Sequence, residues 1–462
     1  MKKIRMPTAY TILFLLLVLV AAATWVIPAG AYERAGEEDA PVAGTYHEVE
    51  RQPQGPGDVI LASFQGFYDA VDVALFILMV GGFLGVVMKT GAIDAGVSNV
   101  VRILNGREIW LIPVLMLMFS LGGTSFGMWE ETMAFYPLLI PVFLAAGYDP
   151  LVGIAVVLLG SGAGVLASTV NPFATGIASG FAGVSLGDGL VTRLLMLAVF
   201  DAAAIWYVMA YARRVRAHPE KSLVAGISRL ASPPKGGDTP ALTFRRKVTL
   251  ALFAGVFLVM IYAVIPFDEI GVPIPTLGWW FPELSGLFLA GGVVIGLAYG
   301  LREQELADAF VSGAADLVGV GLIIGISRGI TVLMDGGRIT DTVLYWGEQA
   351  LQGAGSVSFI LLVYLIYLPL SILIPSSSGL ATLSIPILAP LSQFAGIGGE
   401  LIVTAFQSAS GLVNIVTPTA AVVMGGLALG DVPFDRWIRF VWKLILIFFA
   451  LTIGFLAVSA IL

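Results

Sequence analysis

The sequence predicts an all-α polytopic membrane protein built as two inverted repeats, with about nine transmembrane helices plus two re-entrant hairpins. Three observations carry that prediction. Of 462 residues, 58% are hydrophobic and 12% charged, against the ~25% charged that soluble domains carry. Apolar runs near the ~20 residues a membrane-spanning helix needs recur along the whole chain. Three sequence patterns also occur twice, in the same order.

The elements follow in turn. Lys2, Lys3 and Arg5 precede an apolar run from Tyr10 to Ile27. A signal-peptide core has roughly 7–15 apolar residues, so this longer run reads as a first span. The acidic stretch 31–67 leads to a second span at Ala70–Met88. Ile109–Leu121 and Met133–Gly147 then flank the motif GTSFGMWEETMAFYP, Gly123 to Pro137. As a helix, Ile109–Leu121 covers only ~20 Å at ~1.5 Å per residue, short of a ~30 Å bilayer core. Residues 109–147 are therefore expected to form a hairpin. The segment 151–182 is a long span broken at Asn171–Pro172, and Leu194–Tyr211 closes a first repeat, 1–212. Residues 213–266 hold a polar linker, with SPPKGGDTP, and a connecting span at Val248–Ile265. The second repeat, 267–462, has spans at Leu284–Ala298 and Val318–Met334 and a hairpin at 357–396. A span at 401–427, broken at Thr417–Pro418, and a last one at Phe440–Leu462 complete it.

Internal similarity supports the pairing of the halves. Residues 66–94 resemble 309–340, with Phe67 matching Phe310, Asp72 Asp316, Gly91 Gly337 and Ile93 Ile339, the segment ending at Asp94. Both hairpins have a small polar patch followed by Pro-x-x-x-Pro, at Pro137/Pro141 and Pro386/Pro390. STVNPFATG and NIVTPTAAV align on Pro172 and Pro418. One unit makes four crossings, and the connecting span inverts the next. Basic residues mark cytoplasmic segments. With the N-terminus inside and the C-terminus outside, cytoplasmic segments collect 19 of the 24 Lys and Arg, including Arg102 and the nine from Arg213 to Lys247.

A proline inside a helix frees a backbone carbonyl, and in lipid every freed group must find a partner. The two proline breaks and the two hairpin tips are thus the candidate binding site. The first half contributes Gly123, Thr124, Ser125 and Gly127 at its tip, and Asn171 and Thr175 at its break. The second contributes Ser376, Ser377, Ser378 and Gly379, then Asn414, Thr417 and Thr419. Small polar residues also serve merely to pack helices; the symmetric placement favours binding. Glu130 and Glu131 stand out, because a charge at mid-bilayer costs ~3 kcal/mol. Such a carboxylate can hold a cationic group, carry a proton, or pair with Arg328, the one basic residue deep in a span. Neighbouring helical residues point ~100° apart, so at most one of the two is expected to face the solute, the other facing a neighbouring element.

Other function classes lose support. The chain has no cysteine, and His47 and His218 fall in polar loops, so no thiol chemistry or Cys/His metal centre is proposed. No Walker A pattern occurs. Nothing calls for a nucleic-acid partner. An ion channel and a membrane enzyme are the rival classes; interrupted inverted halves suit alternating access, and the two acids are adjacent rather than facing.

WVIPAGAYE, TYHEVE, KTGAID, GGTSFGMWEET, STVNPFATGIASG and IPSSSGLATLSIPILAPL resemble the C4-dicarboxylate anaerobic carrier family, on its basic amino-acid antiporter branch, within the ion transporter superfamily. The resemblance covers nearly the whole chain. It implies a homodimer in the cell (inner) membrane, with a central scaffold and mobile transport domains that move as an elevator. It implies a secondary transporter of amino acids, basic ones such as arginine and ornithine, by exchange or ion-coupled uptake. The alternative is a C4-dicarboxylate or other carboxylate carrier, coupled to sodium or protons. Sodium-coupled relatives place Ser-Asn-Thr motifs near the tips. Here STV precedes Asn171 and the second copy reads NIVTPT, so sodium near Ser168, Asn171 and Thr417 stays open beside proton coupling. No other cofactor is implied.

Overall fold

The computed structural model describes residues 9–35, 40–93, 95–96, 99, 107–185, 187–227, 241–264, 267, 273–279 and 281–461. Lys2, Lys3, Arg5, Asp94, Arg102 and the linker residues 228–240 and 265–266 lie outside the described residues.

Helices dominate. Among the described residues, seven are long and apolar enough to cross a membrane: Val71–Lys89, Glu108–Ser125, Leu190–Ala217, Phe281–Tyr299, Glu303–Gly336, Ser356–Leu373 and Phe434–Ser459. Shorter apolar helices lie at Tyr10–Val26, Pro150–Leu166 and Ser377–Ala389. The chain is a multi-pass helical membrane protein.

The helices sort into two packed groups. The first contains α1 (Ala9–Val26), α2 (Pro56–Asp69), α3 (Val71–Lys89) and, after the linker, α9 (Phe244–Val264), α10 (Phe281–Tyr299) and α11 (Glu303–Gly336). The second contains α4 (Leu111–Phe126), α5 (Tyr136–Ala145), α6 (Pro150–Leu166), α7 (Ile177–Ala182) and α8 (Leu190–Ala217). It also contains α13 (Ser356–Leu373), α14 (Ser377–Phe394), α15 (Gly399–Asn414), α16 (Ala421–Leu429) and α17 (Phe434–Ser459). The amphipathic α12 (Thr340–Leu351) touches α13 and α14. Two short antiparallel pairs fold the loop after α1: β1 (Gly30–Ala31) with β4 (His47–Glu48), and β2 (Arg34–Ala35) with β3 (Ala40–Pro41). Arg34 anchors this loop by a bond to Asp341 at 2.9 Å.

In the first group α11 packs along α2 and α3 with the backbones in near contact. A Cβ at Gly81 would meet the Gly313 carbonyl at 2.6 Å, so only hydrogen fits there. The contacts are reciprocal. The Phe67 ring lies on Gly325, and the Phe310 ring lies on Gly82; one sequence offset relates both members of the two pairs. In the second group, α6 and α15 run through the centre. Every residue of α6 is buried, as is every residue of α15 from Leu401 to Asn414. Apolarity on all sides is what such a position requires.

Three features differ from the sequence expectation. The helix α4 runs past Leu121, through the Gly-Gly-Thr-Ser segment to Phe126. Glycine weakens a helix by ~1 kcal/mol; here Gly123 lies on the Ser161 carbonyl, so tight packing against α6 offsets that cost. The helix α2 occupies a stretch read as loop. Its signals are Pro56 in the first turn and Asp58, whose carboxylate accepts a bond from the Gly55 N–H at 2.7 Å. And α11 begins at Glu303, well before the apolar run, so its 34 residues extend ~51 Å at ~1.5 Å each.

Candidate functional site

The site begins with two interrupted helices. α6 ends at Leu166, and after 167–171 the chain makes one wide turn, Pro172–Gly176, before α7. α15 ends at Asn414 and α16 starts at Ala421. The carbonyls freed at these ends are satisfied by side chains from elsewhere, as burial demands. Gln407 Nε2 donates to the Val165 carbonyl at 2.7 Å, and Ser408 Oγ to that of Leu166 at 3.2 Å. Thr124 Oγ1 donates to Ala167 at 3.0 Å, and Trp437 Nε1 to Ile415 at 3.0 Å. Each half thus caps breaks in the other or within itself.

Between these ends lies a cavity of about 180 Å³. At the ~30 Å³ that a water occupies in the liquid, that is room for about six waters, the scale of a small organic solute. Gly127, Trp129, Glu130 and Glu131 line it from the turn after α4, and Asn171 from the first break. Ser376, Ser377 and Ser378 come from the second tip, Gln407, Asn414 and Thr419 from the second broken helix. The opposite wall is from the other helix group: Val73, Phe281, Ser327 and Arg328.

The tip geometry is set by Gly127. Its φ of 75° ends α4 in the left-handed region, and a Cβ there would meet the Asn171 amide at 2.6 Å. The following tight turn, Glu130–Phe135, turns both acids inward. Glu131 is buried, and its Oε2 accepts a bond from the Trp129 N–H at 3.1 Å. Glu130 is half-buried; its carboxylate is met by its own backbone N–H and lies within electrostatic reach of Arg328 and Asp72. No ion pair within 4.0 Å joins Glu130 to Arg328.

Other expected residues lie behind this surface. Gly123 packs on α6. Thr124 is bound to Ala167 and Thr169, and Ser125 to the Leu121 carbonyl. Thr175 pairs with Ser168, and Thr417 with Thr419 at 2.7 Å. The Gly379 N–H donates to Ser376 Oγ at 3.2 Å. Among the described residues, no cluster of three or more His, Cys, Asp or Glu gathers to hold a metal.

A sequence profile described as C4-dicarboxylate anaerobic carrier matches residues 6–461. The chain belongs to that family. This carrier is 34% identical to an uncharacterized protein of Haemophilus influenzae, over 96% of this chain and 95% of that one. It is 29% identical to a protein of Escherichia coli (strain K12) named "Putative basic amino acid antiporter YfcC", over 94% and 92% of the two chains. Among solved structures, the Alcanivorax borkumensis YdaH transporter superimposes over 98% of each chain, with TM-score 0.46 at 16% identity. MtrF of Neisseria gonorrhoeae does so over 98% of this chain and 95% of that one, with TM-score 0.42 at 16% identity. Family membership makes the chain a membrane transporter, not an enzyme.

Sequence reasoning missed Gln407 in this carrier. Its side chain is 1% exposed and its Nε2 is committed to Val165, while Oε1 has no partner among the described residues. A buried acceptor left open costs ~1–3 kcal/mol, and this one belongs to a residue on the cavity wall. The signal was present: Gln407 is the one amide in the run from Leu401 to Val413.

Proposed function

We propose that this carrier moves basic amino acids of the arginine and ornithine type by secondary active transport, through exchange or ion-coupled uptake. The observation that carries this reading is the charge inventory of the cavity wall: two carboxylates, Glu130 and Glu131, and one guanidinium, Arg328. A basic amino acid carries the complement, two cationic groups and one carboxylate. The open Gln407 Oε1 adds an acceptor for an N–H donor. A dianion would meet a wall with an excess of negative charge. The relative named as a basic amino acid antiporter agrees with this substrate class.

Alternating access through an elevator movement fits the two packed groups: α1–α3 and α9–α11 would be the scaffold, in a homodimer, and the group holding both breaks and both tips the moving part. The cavity lies where they meet, with Arg328 on one side and the acids on the other. In this scheme nine crossings and two hairpins put the N-terminus inside and the C-terminus outside. Coupling would use Na⁺, near Ser168, Asn171 and Thr417, or H⁺.

A second reading, C4-dicarboxylate transport, draws on Arg328 in the same wall and on the family description. Counterflow in proteoliposomes separates the two. Labelled arginine should exchange with internal arginine or ornithine and should not be displaced by succinate. Succinate exchange without arginine exchange would refute the basic-substrate reading, and conductance without saturation would refute a carrier altogether.

A further inference from the structure

One buried carboxylate plays no part in the cavity. Asp201 lies near the middle of α8, eleven residues past Leu190, or ~17 Å along the helix at ~1.5 Å each. It is 9% exposed. Its Oδ2 accepts a bond from Ser120 Oγ, on α4, at 2.9 Å. No ion pair reaches it among the described residues.

The charged groups around it are all distant along the bundle. Neither α4 nor α6 carries a titratable side chain. On α17, Asp435, Arg436, Arg439 and Lys443 cluster in the first turns, whereas Phe448 and Phe455 pack beside Phe200 at the level of Asp201. On α8 itself, Arg193 lies toward the Leu190 end; Tyr207 is bound to the Phe440 carbonyl, and Tyr211 to Asp149 at 2.6 Å. Arg213, Arg214 and Arg216 sit at the other end, near Glu108 and the turn with Glu220 and Lys221.

An ionised carboxylate held at this depth by a single hydroxyl is expensive. A neutral one is not, and serine suits both states. Its hydroxyl can donate to the carboxylate or accept from the carboxylic acid, so the bond survives a change of protonation. Ser120 is on the same helix that ends at the Gly127 tip, and the Ser120 carbonyl packs on Gly164 of broken α6. The Asp201 bond is thus made to the helix that leads into the turn presenting Glu130.

We propose that Asp201 is a proton-binding site of this carrier, separate from the solute cavity, with Ser120 as its hydrogen-bond partner. It takes up a proton from water on one side and returns it to water on the other. The proposal deepens the transport reading above and rests on it.

The test uses proteoliposomes and labelled arginine, or labelled succinate if the wild type exchanges that instead. Counterflow and accumulation driven by a pH gradient are measured side by side. Asp201→Asn should keep counterflow and lose gradient-driven accumulation, and Asp201→Glu should restore it. Wild-type accumulation that ignores a pH gradient overturns the proposal while leaving the counterflow reading intact. So does an Asp201→Asn variant that still accumulates, or one that loses both activities while folded. If Asp201→Asn does not fold, Ser120→Ala takes its place: its gradient-driven uptake must show a shifted pH profile, and an unshifted one overturns the proposal.

Discussion

Replacing Glu130 by Gln tests the charge complementarity of the cavity directly. Glu130 is half-buried in the cavity wall, and its carboxylate meets its own backbone N–H but no other side chain by a hydrogen bond among the described residues. Its carboxylate is therefore free to meet a ligand cation, and removing its charge takes away one charge-assisted bond, ~1.5–3 kcal/mol. At ~1.4 kcal/mol per decade, arginine binding should weaken roughly ten- to a hundredfold. Stability should change little, within about 0.5 kcal/mol, since a Gln oxygen can still meet the residue's own N–H and the attraction of Arg328 is opposed by Asp72. Glu131→Gln removes the second carboxylate charge of the wall and should weaken arginine binding as well. A Gln oxygen can still accept from the Trp129 N–H now held at 3.1 Å, so the turn should persist at a cost of about 1 kcal/mol. Titration calorimetry in detergent, beside a thermal melt, measures both quantities. An unchanged arginine Kd in Glu130→Gln would show that no cationic group rests there, and tighter succinate binding in that variant would turn the argument toward the dicarboxylate reading.

The helix crossing makes an independent forecast: Gly313→Ala should destabilise by about 1–3 kcal/mol, because its Cβ would meet the backbone of Gly81 and Gly85, which cannot rotate aside. Gly255→Ala, with open space around it, should be neutral or stabilising by up to ~1 kcal/mol; equal melting temperatures would contradict the close-packed crossing. The cysteine-free chain allows single labels, and His47→Cys and Gln352→Cys should react from outside whole cells and His218→Cys only after permeabilisation; external labelling at 218 would break the inverted-repeat scheme. Cysteines at Asn171 and Ser377, both on the cavity wall, should change accessibility together when arginine is added, and fixed accessibility during transport would exclude a moving bundle.

Helical membrane character was legible because it rests on composition, which every residue reports. The ends of elements were harder. Ile109–Leu121 looked too short to cross because the sequence shows Gly122 and Gly123 as helix breakers, while the Ser161 carbonyl that Gly123 lets approach comes from distant packing. The helix α2 was hidden by polarity: its apolar face is narrow, with Val59, Ala62 and Gly66 buried on one side. At the site, Glu130 and Glu131 were conspicuous as charges in an apolar stretch. Gln407 was not, since it carries no charge and the polar residues around it, Thr404, Ser408 and Ser410, dilute its signal; its open Oε1 singles it out. Arg328 was visible as a lone cation, but a linear sequence cannot say that α11 brings it to the same cavity as the first hairpin.

The capping of the first broken helix by the second has a consequence for how the chain is made. The carbonyls of Val165 and Leu166 take their donors from Gln407 and Ser408, each 242 residues later. At roughly 5–20 residues per second, the ribosome needs on the order of 12–50 s to supply those donors. Throughout that interval the first half has reached the bilayer with two helix-end carbonyls exposed, and in lipid such groups must bind something. Water, or polar groups of the insertion machinery, must hold them until α15 arrives. A nascent chain halted between the linker and α15 would thus carry an open polar seam in its membrane-embedded half.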